Sequence, residues 1–128
     1  MIEDELEGRI RRGEKIFDRS LEMVEDEGGY GRSYYVGDCG CVDLLTYNAK
    51  DREYVLVDAV AGEADERHLI LLWQKVQAFA LKQKRGSKVS GVLVCGSATS
   101  SLRGRIKQVE GWQVEVYKCT LELGRMKG

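Results

Sequence analysis

Two aspartates stand in segments otherwise suited to burial. Asp43 lies between Val42 and Leu44 in "CVDLL", and fifteen residues later Asp58 follows Val55, Leu56 and Val57 in "YVLVDAV". A carboxylate among valines and leucines costs free energy unless something pairs with it. If the two segments are neighbouring strands, both carboxyl groups can converge at one end of a sheet. There they repel each other unless a cation joins them or one takes up a proton. A hard ion such as Mg²⁺ accepts carboxylate and carbonyl oxygens and keeps waters that a phosphate can displace. Such an ion polarises a phosphodiester and supplies hydroxide. The everyday alternative is a pair of strand-end aspartates bonded to turn amides.

The elements that would position these acids follow from periodicity. Leu6, Ile10, Ile16, Phe17, Leu21 and Val24 fall near helical spacing and predict a helix over 3–27, weakened by Gly8 and Gly13, which could divide it into two pieces. Glycines 28, 29 and 31 then favour a turn. Strands are expected over 32–37, 41–47 and 53–60, the last two joined by the hairpin-length "NAKD" of Asn48 to Asp51. Residues 64–84 form the clearest helix, with Leu69, Leu72, Trp73, Val76, Phe79 and Ala80 on one apolar stripe. "VSGVLVCG" reads as a buried strand, "SATSSLRGRIKQVEG" as a loop and short helix, and "WQVEVYKC" as an alternating last strand. Residues 124–128 read as a loose tail. The order α-β-β-β-α-β-α-β implies an α/β fold, a mixed sheet flanked by helices, in a single domain over 1–128.

The totals exclude several classes. A chain of 128 residues with 43% hydrophobic and 32% charged residues is globular, and no apolar run is long enough to span a membrane. The acidic start "MIEDELEGRIRR" is no signal segment, so a cytoplasmic location and no membrane partner are expected. Twenty Lys and Arg against twenty-one Asp and Glu leave a net charge of −1, so any nucleic-acid role needs a local basic patch. Of the four cysteines, Cys39 and Cys41 lack zinc-knuckle spacing and Cys95 and Cys119 fall in predicted strands, which suggests reduced, mostly buried thiols. His68 is the one histidine and has no partner in view.

Five motifs in order resemble the restriction-endonuclease-like PD-(D/E)xK superfamily, above all the C-terminal nuclease domain of NucS-type endonucleases of archaea. "LEGRIRRGEKIFDRSLEMV" is similar to the family's opening helix, "GCVDLL" to its first acidic strand and "YVLVDAVAG" to its second. "WQKVQAFAL" is similar to its Gln-bearing helix and "VSGVLVCG" to the next strand. The resemblance implies that Asp43, Asp58 and the Ala59 carbonyl hold Mg²⁺ or Mn²⁺. It also implies that Glu7 approaches from the first helix and that Gln74 orients a water or a phosphate oxygen. One departure stands out: the motif lysine, two residues after the second acid, is Val60, and that acid is the shorter Asp rather than Glu. Lys75 and Lys50 are the nearby cations that could stand in, although Lys75 points about 100° around the helix from Gln74.

Two readings follow. One is a metal-dependent endodeoxyribonuclease, a hydrolase of DNA phosphodiesters, with catalysis impaired by the missing lysine. The other is a catalytically inactive relative that binds DNA or a protein partner. For either, Lys82, Lys84, Arg85, Lys88, Arg103, Arg105 and Lys107 are the candidate phosphate contacts, on successive connections of the fold. Tyr30, Tyr34 and Tyr35 are candidates for base stacking, although packing is the expected role for at least two of them. A homodimer or a separate DNA-binding partner is also expected, because NucS-like nucleases carry an additional N-terminal domain.

Overall fold

The computed structural model describes residues 2–26, 29–109, 111–119 and 123–126. The elements are α1 (Ile2–Arg11), β1 (Glu22–Met23), β2 (Glu25–Asp26), β3 (Gly29–Tyr30), β4 (Arg32–Tyr35), β5 (Cys41–Asn48) and β6 (Glu53–Ala64). These are followed by α2 (Glu66–Leu81), β7 (Lys88–Ala98), α3 (Ser100–Gln108), β8 (Val114–Cys119) and β9 (Leu123–Arg125). The main sheet runs β1-β5-β6-β7-β8-β9, with β4 also paired to β5, while β2 and β3 form a separate two-stranded ribbon. The expected hairpin is present: β5 and β6 are antiparallel, with Asn48 opposite Glu53. β6, β7 and β8 are parallel and are connected through α2 and α3. This is the mixed sheet flanked by helices that the sequence implies.

Each helix covers one face of the sheet. Leu69, Leu72, Val76 and Phe79 of α2 and Leu102 of α3 pack with Leu45, Leu56 and Leu93. Leu6 and Ile10 of α1 pack on the other face with Leu44, Val55, Val57, Val92 and Val94. Every second residue of β6 therefore meets α1 and the others meet α2, as strand geometry requires. Gly91 allows α2 to lie close to β7, because a Cβ there would sit 2.8 Å from Val76 Cγ2 and 3.0 Å from Leu72 Cγ.

The N-terminal region corrects the long-helix expectation. α1 stops at Arg11, and Gly13 at φ 77 turns the chain in a left-handed conformation that ends a helix. Phe17 and Asp18 also take positive φ. Ile16, Phe17 and Leu21 are buried as expected, but on a folded-back turn rather than on one helical stripe. The tail is corrected as well: Leu123–Arg125 pairs antiparallel with β8. His68 has a partner after all. Asp65 caps α2, its carboxylate accepting from the Arg67 N–H, and its own N–H donates to His68 Nδ1. Among the described residues, no helix is long and apolar enough to cross a membrane.

Candidate acidic site at the end of the β5–β6 ladder

The β5–β6 ladder ends at Leu44 opposite Val57, and the next residues along the two strands are Asp43 and Asp58. Here the carboxylates take over the bonding between the strands. Asp58 Oδ1 accepts from the Asp43 N–H at 3.0 Å, and Asp43 Oδ2 accepts from the Ala59 N–H at 2.8 Å. β5 changes phase at this point. Val42 and Leu45, three residues apart, both lie in the cluster beneath α2, which an uninterrupted alternating strand would not allow. The two half-buried acids thus meet where the strands part.

A third group joins them from α2. Lys75 Nζ stands 2.8 Å from Asp58 Oδ2, with side-chain exposures of only 10% and 15% for the pair. Lys75 follows Leu72 by three residues and precedes Phe79 by four, so it belongs to the buried stripe of the helix. Val60, at the position of the motif lysine, packs against the same α2-side core. The ammonium on this face comes from the helix, and the strand position is apolar.

The electrostatics of the cluster are unbalanced. Burial lifts the Asp43 carboxyl above its ordinary range. The Ala59 N–H opposes that rise, the charges of Asp58 and Glu3 add to it, and Lys75 counteracts it. Three acids therefore act together against one ammonium. Glu3 is the α1 acid near Asp43, whereas Glu7, one turn later, is engaged elsewhere. It accepts from Arg11 Nε at 2.9 Å, Arg32 Nη1 at 2.9 Å and the Tyr30 hydroxyl at 2.7 Å. The Arg11 hydrogen bond, supported by Arg32, holds the Glu7 carboxyl below its usual range against the effect of burial. Gln74 is exposed on α2 and does not join the cluster. Glu7 and Gln74, expected beside the two aspartates, thus lie bonded to other groups and exposed respectively, while Lys75 contacts Asp58 and the charge of Glu3 acts on Asp43. Glu3 lies a single helical turn from Glu7, and Lys75 is the one charged residue on the buried stripe of α2.

The residues present fit a hard divalent cation in part. Among the described residues no group of three or more His, Cys, Asp and Glu is arranged to hold a metal ion. Asp43 Oδ1 carries no hydrogen bond among those residues, and the cluster holds excess negative charge. The Ala59 N–H points towards β5, and in an extended strand the carbonyl of the same residue points to the same side. A cation here would find two carboxylates and a main-chain carbonyl, the oxygen types that Mg²⁺ or Mn²⁺ accepts alongside waters, with three of the four carboxylate oxygens already bonded within the protein.

The candidate phosphate-binding cations do not form one patch. Lys82 caps the C-terminal end of α2, its Nζ about 3.1 Å from the Cβ position of Gly37, and Lys84 and Arg85 are exposed in the following turn. Arg105 pairs with Glu66 at the opposite end of the 16-residue helix, about 24 Å away at helical rise. Arg103 is exposed on α3. Lys88 and Lys107 line a separate cleft of about 800 Å³ with Arg19, Glu53 and Glu115. Of the tyrosines, Tyr30 and Tyr34 bond Glu7 and Asp26, while Tyr35 is 63% exposed.

Two solved structures share this fold. The chain superimposes on a repair endonuclease from Pyrococcus abyssi with a TM-score of 0.66 and 20% identity, over 91% of this chain and 46% of that one. It superimposes on EndoMS, solved as a complex with double-stranded DNA, with a TM-score of 0.64 and 22% identity, over 90% of this chain and 42% of that one. The chain thus spans less than half the length of either protein. The mixed sheet flanked by helices is thus a fold shared with both of these structures. No protein-family model matches the chain, and no curated protein matches it either.

Proposed function

We propose that this chain is a divalent-metal-dependent endonuclease acting on DNA phosphodiesters, with its ammonium supplied by α2. The observation that carries this reading is the meeting of Asp43, Asp58 and Lys75 at the parting of β5 and β6. Asp43, Asp58 and the Ala59 carbonyl would hold Mg²⁺ or Mn²⁺. When bound, that ion would activate a water and polarise the phosphodiester. Asp43 and Asp58 are held in place by main-chain N–H groups, so they are set in position before any substrate arrives. Lys75 neutralises Asp58 in the free protein, and its flexible stem can turn the ammonium towards a phosphate oxygen or an attacking water. Lys75 thereby takes the part that the strand lysine plays in the resembling nucleases. Glu3 adds negative charge beside Asp43 and raises the local attraction for a cation. Lys82, near the loop that enters β5, is the phosphate contact nearest to this site by sequence position; the other cations would serve more distant stretches of DNA.

One observation favours a second reading. Lys75 already occupies an oxygen of Asp58, as an ammonium does in a purely structural ion pair, and Val60 is apolar. On that reading the chain is a silent relative that binds DNA or a protein partner, alone, as a homodimer or with a DNA-binding subunit. Cleavage of single-stranded, branched and mismatched DNA with Mg²⁺ or Mn²⁺ separates the two. Wild type should cleave, Asp43→Ala should not, and Lys75→Ala should lose on the order of 10²–10⁴-fold in rate. Cleavage that survives Asp43→Ala rejects the assigned site. Salt-sensitive DNA binding without cleavage selects the silent relative.

A further inference from the structure

The loop between β4 and β5 reads Val36-Gly37-Asp38-Cys39-Gly40 and leads into Cys41, the first residue of β5. Two thiols therefore flank one glycine. Contrary to the expectation of mostly buried thiols, Cys41 is exposed and Cys39 half-buried. Cys95 is buried in β7, where burial pushes its thiol up, and Cys119 closes β8.

The loop is tightly curved. The Val36 N–H donates to the Gly40 carbonyl at 2.9 Å, and the Gly40 N–H donates to the Gly37 carbonyl at 2.9 Å. Gly40 takes φ 95, a left-handed value that glycine adopts freely. Apart from the two flanking cysteines, no atom lies within 4 Å of the place where its Cβ would be, so the rest of the protein leaves this turn open on that side. Fully extended, two residue steps span about 7 Å. A bend at the intervening glycine shortens that span towards the roughly 4.4–6.8 Å between Cα atoms that a disulfide bridges.

We propose that Cys39 and Cys41 form a reversible dithiol–disulfide pair, a modification site on the loop that feeds the strand carrying Asp43. The oxidant is a low-molecular-weight disulfide such as oxidised glutathione. The thiolate of one cysteine attacks a sulfur of the oxidant and expels a thiolate, leaving a mixed disulfide. The second cysteine's thiolate then attacks the protein sulfur of that mixed disulfide, forms the Cys39–Cys41 bond and expels the other thiolate. Two protons leave the protein and the oxidant gains two electrons. A ring closed over a single intervening residue is strained and exposed, so excess dithiol reopens it.

The test is peptide mapping by mass spectrometry of the full native chain, after equilibration with oxidised glutathione and alkylation of the remaining thiols. The expected product is a 39–41 peptide lacking two hydrogens. It should be restored by dithiothreitol, abolished by Cys39→Ser or by Cys41→Ser, and unchanged by Cys95→Ser. The proposal is overturned if both thiols stay open to alkylation, if they carry glutathione without closing, or if either pairs with Cys119. None of these outcomes depends on metal binding or DNA cleavage.

Discussion

At the residue scale, the account turns on a lysine that sits where an apolar side chain would pack. Lys75 is buried beside Asp58, and the motif position in the strand is Val60. If Lys75 supplies the missing ammonium, the double variant Lys75→Ala with Val60→Lys should recover part of the cleavage that Lys75→Ala alone loses. A double variant no more active than Lys75→Ala would leave the lysine exchange without support. Asp43 offers a pH test. Its carboxyl is raised in the folded chain, chiefly by burial, so the fold favours its neutral form. Below the unfolded carboxylate range both states are protonated and Asp43 costs nothing. As pH rises through that range towards the folded value, the unfolded state releases its proton first and stability falls. Asp43→Asn should therefore raise the melting temperature of the metal-free protein at neutral pH and flatten this part of its pH profile. A lower melting temperature at pH 7 would contradict the proposed charge imbalance. Stability given up at a charged cluster is what a site held ready for a cation requires.

At the element scale, the site depends on how closely α2 lies against β7. Gly91→Ala would press a methyl group into Val76 and Leu72, which lie one residue after and three residues before Lys75 on α2. It should cost about 1–3 kcal/mol of stability, read as a lower urea midpoint. It should also cut cleavage more than a substitution of equal cost on the α1 face. Equal effects of the two would mean that the seat of α2 does not govern the site. Much of this arrangement was legible in the sequence. The β5–β6 hairpin follows from two β-rich runs around "NAKD", and α2 from its apolar period. Lys75 was legible in part, because Leu72, Lys75 and Phe79 share one helical stripe; a charge on that stripe marks a buried partner more strongly than the exposed Gln74 beside it. The N-terminal region was not legible. Ile16, Phe17 and Leu21 fit a helical period by chance, while Gly13 and the left-handed Phe17 and Asp18 fold the chain back. Which acid of α1 lies near Asp43 was not legible either: residues one turn apart share a helix face, and only packing decides which reaches the sheet.

At the scale of the whole molecule, a partly buried ionic network centred on Glu53 ties the N-terminal segment to three strands, away from the aspartates. Arg19 Nε donates to Glu53 at 2.9 Å and Nη2 bonds Glu115 at 2.5 Å, while the Ser90 hydroxyl bonds Glu53 and Lys88 stands 3.6 Å from it. Burial pushes the Glu53 carboxyl up, but the bonds from Ser90 and Arg19 and the charges of Arg19 and Lys88 bring it below its ordinary range. A depressed folded value gives stability that is present above the unfolded carboxylate range and lost as pH falls through the folded one. Arg19→Ala, which leaves Glu53 buried without its main partner, should cost about 3–5 kcal/mol by chemical denaturation at pH 7. A loss below about 1 kcal/mol would place the pair among exposed ion pairs instead. The net charge of −1 offers no long-range pull on DNA, so any DNA affinity must rest on local contacts and fall steeply with salt. The most direct measurement of the central claim is calorimetric titration of the DNA-free chain with Mn²⁺. The account predicts one ion bound per chain, lost in both Asp43→Asn and Asp58→Asn and retained in Lys75→Met. No binding by the wild type, or binding unchanged in the two asparagine variants, would contradict it.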